Sequence, residues 1–153
     1  DQLLQVFNKY LNEDETELIM EEVQNLSGFE FNNDLDVKYL TDLYESNISY
    51  AADLFEIFIR TIREEVAKLS VMVNNRDWEQ IRFQVHKLKP NFAMVGLTWI
   101  TAKMQELENY LRVNQEMHGE EISRLFNEIQ EEVKKFYPLI EVEYNKMRDF
   151  IGE

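Results

Sequence analysis

The chain has 153 residues, of which 44% are hydrophobic, and sixteen basic against thirty acidic side chains give it a formal net charge of −14. That is enough apolar material for one core, and the charge disfavours nucleic acid and anionic lipid as partners, since both would be repelled. The absence of cysteine excludes a disulfide framework, a thiolate nucleophile and zinc-finger spacing, which fits a reducing, cytoplasmic setting.

Taken from the N-terminus, Leu3, Leu4, Phe7, Tyr10 and Leu11 recur at helical spacing, and Leu18, Ile19, Val23 and Leu26 do so after the acidic run Asn12-Glu13-Asp14-Glu15. Two short helices are expected there. The chain opens at Asp1 and is expected to be a piece of a longer protein. Ser27-Gly28 and Asn32-Asn33-Asp34 form the most polar interruption, so residues 1–33 read as a lead-in and 34–153 as the main domain.

That domain reads as five helices with only four Gly and two Pro in the whole chain to punctuate them. A short helix over Asp36–Glu45 turns Val37, Leu40, Leu43 and Tyr44 inward, and Ser46-Asn47 offers capping oxygens to the next. The second, Ile48–Val73, carries Ala51, Leu54, Phe55, Phe58, Ile62, Val66, Leu69 and Val73 on one stripe and ends at Asn74-Asn75-Arg76. The third opens near Asp77, with Trp78, Ile81, Val85, Leu88, Phe92 and Val95 forming a regular seam suited to left-handed helix packing. The fourth, Thr98–Val113, uses Ile100, Met104, Leu107 and Leu111. The fifth, after His118-Gly119, uses Ile122, Leu125, Phe126, Ile129, Val133, Phe136 and Ile140. Four long amphipathic helices with short connections predict an all-α, antiparallel four-helix bundle with short helices before it. No apolar run approaches the ~20 residues that span a bilayer.

The third helix holds the chemically informative stretch, Arg82-Phe83-Gln84-Val85-His86-Lys87-Leu88-Lys89-Pro90, with Gly96 beyond it. At ~100° per residue, His86 points about 130° away from the seam, so it faces solvent in mid-helix beside Glu79, Arg82, Pro90 and Ala93. A neutral imidazole nitrogen can attack phosphorus, and Lys89 one turn on, with Arg82 or Lys87, can partly neutralise the dianionic product. Ala93 and Gly96 are expected to leave the next turn clear for a partner. Phe83 points about 170° from the seam, so it is either covered by another segment or part of an apolar docking surface.

His86-Lys87-Leu88-Lys89 followed by Gly96 resembles the signature of the histidine-containing phosphotransfer (HPt) family, His-x-Leu-Lys-Gly with a later Gly. Asp36-Val37-Lys38-Tyr39-Leu40 with Leu43-Tyr44, Phe55-Glu56-Ile57-Phe58 and Arg76-Asp77-Trp78-Glu79 look like that family's landmarks in their usual order, so the resemblance spans roughly residues 35 to 112. It implies that His86 is the phosphoacceptor, Lys89 the phosphate-stabilising cation and Gly96 the small residue beside the site, with Arg82, Pro90 and Ala93 in support and Phe83 and Lys87 available for docking. It also implies a relay between aspartates of response-regulator receiver domains. The receiver would supply Mg²⁺, while this chain would bind no metal or cofactor, act as a monomer and have no kinase activity of its own. Two positions depart from the pattern. Val85 stands where Ala is frequent, and Pro90 stands where Gly is common; Pro90 removes the backbone bond to the His86 carbonyl and should kink the helix. The Leu3–Leu11 pattern resembles the last helix of a receiver domain, which would make the chain the tail of a hybrid sensor kinase.

Two other readings compete. One is a helical scaffold in which His86 is never modified. The other is a hydrolase or lyase with His86 as general base, opposed because Glu79 is the one carboxylate on the same helix face, two turns away. His118 reads as a loop residue, the acidic runs lack calcium-loop spacing, and no Gly-rich loop for ATP is present. The stretch past Tyr137-Pro138 carries no functional reading.

Overall fold

The computed structural model describes residues 28–113 and 119–152. The expected helices at residues 3–11 and 18–26, the run Glu13-Asp14-Glu15 and His118 lie outside them. Two compact units divide at Glu30/Phe31. Among the described residues, the unit that begins at Phe31 is all helical: α1 (Val37–Tyr44), α2 (Ile48–Asn74), α3 (Trp78–Ala93), α4 (Thr98–Val113) and α5 (Gly119–Phe150).

Local chemistry explains the starts. The side chains of Asp36, Asn47 and Asp77 each accept the backbone N–H three residues on, from Tyr39, Tyr50 and Gln80, and so satisfy one of the donors that a helix N-terminus leaves without a partner. α3 ends by a different device. Gly96 N–H donates to the Ala93 carbonyl and Leu97 N–H to the Phe92 carbonyl, both at 2.9 Å, while Gly96 sits at φ +80°. This is the paired closure of a Schellman turn, with the left-handed position filled by the residue that takes it without steric cost.

The four long helices pack in a closed cycle, α2 on α3, α3 on α4, α4 on α5 and α5 on α2. Paired contacts give their directions. Phe58 meets Phe92 and Glu65 meets Gln84 across α2 and α3. Trp99 meets Glu132 and Lys103 meets Glu128 across α4 and α5. Ile59 meets Tyr137 and Asp53 meets Arg148 across α2 and α5. In each of these pairs one number rises as the other falls, so the two helices of the pair run in opposite directions.

The interior is the expected one in most places. Phe55, Ile62, Leu69, Ile81, Val85, Leu88, Phe92, Ile100, Met104, Leu107 and Ile129 are essentially inaccessible, and full burial of one such side chain contributes about 1.5–3 kcal/mol. Other expected core positions lie elsewhere. Leu43 is exposed and Val37 half-buried, because α1 has only eight residues and buries one edge through Leu40 and Tyr44. Leu54, Trp78 and Phe136 are half-buried; Phe136 packs edge-on against Trp99 at 4.9 Å, and Tyr137 turns inward to donate to the Ile59 carbonyl.

α1 closes over the end of α3. Tyr44 Oη donates to the Met94 carbonyl at 2.6 Å, Asp36 N–H to the Gly96 carbonyl, and Thr98 Oγ1 to Asp36 Oδ2 at 2.7 Å. The Thr98 hydroxyl, then the Tyr39 N–H, hold the Asp36 carboxyl below its ordinary range. α5 runs unbroken through Pro138 and buries Ile140, Glu143 and Met147 in its last turns. Glu143, fully buried, accepts from Asn32 N–H and Lys146 Nζ, so the length past Tyr137-Pro138 has a structural use in holding the segment that begins at Phe31. Among the described residues no helix is long and apolar enough to cross a membrane.

Candidate phosphotransfer site

The seam of α3 turns Val85 and Leu88 inward, which leaves His86 on the outer surface with its side chain 71% exposed. α4 passes alongside in the opposite direction, so His86 meets Glu108 and, one turn later on α3, Lys89 meets Gln105. His86 Nδ1 lies 2.8 Å from Glu108 Oε1, and Lys89 Nζ donates to Glu108 Oε2 at 2.7 Å and to Gln105 Oε1 at 2.5 Å. Thr101 Oγ1 donates to the Lys89 carbonyl at 3.1 Å, tying the same turn of α3 to α4.

Glu108 determines the state of the ring. Its side chain is 17% exposed, and burial by itself would raise its pKa. The hydrogen bonds and charges of Lys89 and His86 outweigh burial and hold the carboxyl below the usual glutamate value. An ionised carboxylate only accepts, so Nδ1 is the nitrogen that carries the proton. In the neutral imidazole the lone pair therefore sits on Nε2, for which the described residues provide no partner. The arrangement holds an exposed nucleophilic nitrogen in one tautomer, with an ammonium two contacts away.

The other expected site residues are distributed around this centre. Arg82 and Phe83 line a shallow depression with His86, joined by Glu79, Glu108 and Arg112. Phe83 is 70% exposed, so no described segment covers it. Lys87 leans away, toward Glu65 of α2 at 3.7 Å, on the flank where the buried Gln84 also donates to Glu65 at 2.6 Å. Pro90 is exposed, and α3 continues through it to Ala93.

Ala93 and Gly96 correct an expectation. Both are buried; Gly96 lies against Leu40 of α1 and against Leu35, a cover that an angle measured from the seam cannot register. A Cβ on Gly96 would lie 2.6 Å from Leu40 Cδ1 and 3.0 Å from Leu35 Cβ. The glycine therefore serves the turn and the approach of α1, and neither residue leaves open space for a partner.

Glu108, Gln105 and Arg112 are the residues that the helical pattern does not single out. Gln105 and Glu108 each follow an inward residue, Met104 and Leu107, which places them on one flank of α4. Which flank meets α3 is a matter of packing. The objection to general-base chemistry, that no carboxylate lies beside His86, loses its premise with Glu108 in place. What opposes hydrolysis is exposure, since a 71% accessible imidazole in a shallow depression has no enclosed cavity to hold a substrate away from water. Among the described residues no group of three or more His, Asp or Glu is placed to hold a metal ion.

The family model described as Hpt domain matches residues 53–136, more than half of the chain. The chain belongs to the Hpt domain family. Members of this family carry out histidine phosphotransfer in two-component signalling and interact with receiver domains. The match to the Hpt domain runs from α2, through the His86 helix and α4, to Phe136 within α5. No match was found among curated proteins or among solved structures.

Proposed function

We propose that this Hpt domain is an antiparallel four-helix bundle acting as a phosphorelay intermediate: His86 accepts a phosphoryl group from the aspartate of one receiver domain and passes it to the aspartate of another. The observation that carries the reading is the pairing of His86 Nδ1 with Glu108 at 2.8 Å, which leaves the lone pair of an exposed Nε2 as the nucleophile.

In the transfer, that lone pair forms the N–P bond while the P–O bond to the donor aspartate breaks, and the carboxylate departs with the bonding electrons. The proton stays on Nδ1, so the ring becomes positively charged as the bond forms. Glu108 sits 2.8 Å from that nitrogen and stabilises the charge where it develops. Lys89 balances Glu108 and keeps a third N–H for a phosphoryl oxygen. The return transfer uses the same contacts in reverse.

The chain needs no cofactor of its own in this scheme. Mg²⁺ belongs to the receiver, whose acidic pocket holds the phosphoryl group in line with Nε2. Phe83 and Pro90 offer an apolar surface for docking, with Lys87 and Arg82 at its edges. The setting that fits is a monomeric module in the cytoplasm, as part of a hybrid sensor kinase.

The test mixes the purified chain with phosphorylated receiver domains and Mg²⁺ and follows acid-labile, base-stable phosphate. Label is expected on the wild type and not on His86→Gln. A folded wild type that takes label from no receiver would leave the scaffold reading in its place.

A further inference from the structure

The chain has two prolines, and both lie inside helices, Pro90 in α3 and Pro138 in α5. Each is exposed, and each removes the N–H that the carbonyl four residues earlier would accept, at one of the largest costs a single residue imposes on a helix interior. In α5 the interruption has a structural reading, since a helix of 32 residues bends around the core with its outer face convex. α3 has 16 residues, and the carbonyl that Pro90 leaves is that of His86.

A helix carbonyl points toward the C-terminus, at the N–H four residues on. That of His86 therefore points at the Pro90 ring, which lies one turn on and ~40° round the helix at ~100° per residue, on the exposed face that also carries the imidazole. Among the described residues no donor from outside α3 reaches this carbonyl, whereas the nearby Lys89 and Met94 carbonyls receive the hydroxyls of Thr101 and Tyr44. A carbonyl without its helical donor keeps its lone pairs for water, or for a donor that arrives from solvent.

We infer that Pro90 keeps the main-chain carbonyl of His86 open as an acceptor for an N–H donor on the docked receiver, so that the backbone of the reactive turn helps to locate the partner. The inference rests on the phosphorelay reading of His86. Pro90 is then a positioning residue that acts through the carbonyl and not through the apolar contact of its ring. Any other residue at position 90 closes the acceptor by completing the helix.

Two substitutions separate carbonyl from ring. Pro90→Ala restores the N–H and trims the side chain, while Pro90→Val restores the N–H and keeps apolar bulk. Pro138→Ala makes the same repair in α5, diagonally across the bundle from α3, and serves as the control. KM and kcat for labelling of His86 are measured with Mg²⁺ and a phosphorylated receiver domain that labels the wild type. Initial rates are also measured with phosphoramidate, a small donor that brings no protein surface; its P–N bond breaks as the bond to Nε2 forms, and ammonia leaves with the electron pair. Carbonyl-¹³C histidine gives two signals, and the one absent from His86→Gln reports the carbonyl of residue 86 as unphosphorylated receiver is added.

The open carbonyl predicts that Pro90→Ala and Pro90→Val raise KM for the receiver alike, by about three- to tenfold for one lost hydrogen bond, with kcat retained and no change in Pro138→Ala. It also predicts that the His86 carbonyl signal shifts on binding in the wild type and much less in either Pro90 variant. A wild-type KM in Pro90→Val would make the ring an apolar contact and overturn the inference. So would equal slowing with phosphoramidate, which would place the effect on the imidazole, or a carbonyl signal that the receiver does not move. A wild type that no receiver labels would overturn the relay reading, and the inference with it.

Discussion

Replacing Glu108 by Gln changes little in shape and removes the charge on which the choice of tautomer depends. The carboxylate accepts from His86 Nδ1 at 2.8 Å and from Lys89 Nζ at 2.7 Å; an amide can accept from one of them and must present its NH₂ group to the other. Attack through Nε2 places a positive charge on the ring. Two unit charges about 4 Å apart interact by ~1 kcal/mol in water and ~4 kcal/mol at an effective dielectric constant of 20. His86 is mostly exposed, which favours the lower part of that range, so about 1.5–2 kcal/mol of stabilisation is at stake, or a rate lower by roughly 10- to 30-fold. The assay is the initial rate of His86 labelling by phosphoramidate at pH 7.5, with urea denaturation run in parallel to separate rate from stability. Labelling of a folded Glu108→Gln within twofold of the wild type would falsify the assignment of Glu108 as the group that orients and stabilises the ring.

Other consequences concern the frame and the surface. Gly96→Ala combines a left-handed backbone with a Cβ 2.6 Å from Leu40, so a loss of about 3 kcal/mol, near 10 °C in Tm, is expected by calorimetry; an unchanged Tm would mean that α1 does not rest on this turn. Phe83→Ala should leave stability within about 0.5 kcal/mol while raising the KM for transfer from a receiver, and a large loss of stability would show the ring to be covered. Glu143→Leu strands Asn32 N–H and Lys146 and should cost about 2 kcal/mol in urea unfolding, whereas Glu143→Gln keeps an acceptor for Asn32 and should cost clearly less. The carboxyls of Glu108 and Glu65 are both held below their ordinary range in the fold, so the unfolded chain binds more protons as acid is added. Their stabilisation is complete above the unfolded pKa and is lost as pH falls from the ordinary glutamate range through the lower folded one. A Glu65→Gln, Glu108→Gln double variant should therefore show a flatter acid limb in denaturation midpoint against pH, and an equally steep limb would contradict the assignment.

Helical periodicity is enough to read this chain as all helical, because an apolar residue every three or four positions leaves one solution for burying the stripe. The starts of α2 and α3 and the close of α3 follow from the same local chemistry of capping side chains and of Gly96, and the two starts lie within a residue or so of their expected positions. So does the exposure of His86, since 100° per residue and the direction of the seam are properties of the helix alone. The partners of His86 are of another kind. Glu108, 22 positions away, meets the imidazole, and Gln105 meets Lys89, only because α4 runs back along α3 in one particular register. Ala93 and Gly96 teach the converse. An angle from the seam places Ala93 outside, yet it is buried, and Gly96 is covered by Leu40 from a distant part of the chain. Nearest-neighbour patterns carry the direction in which a side chain leaves its own helix; what waits for it there is decided by the packing of the others.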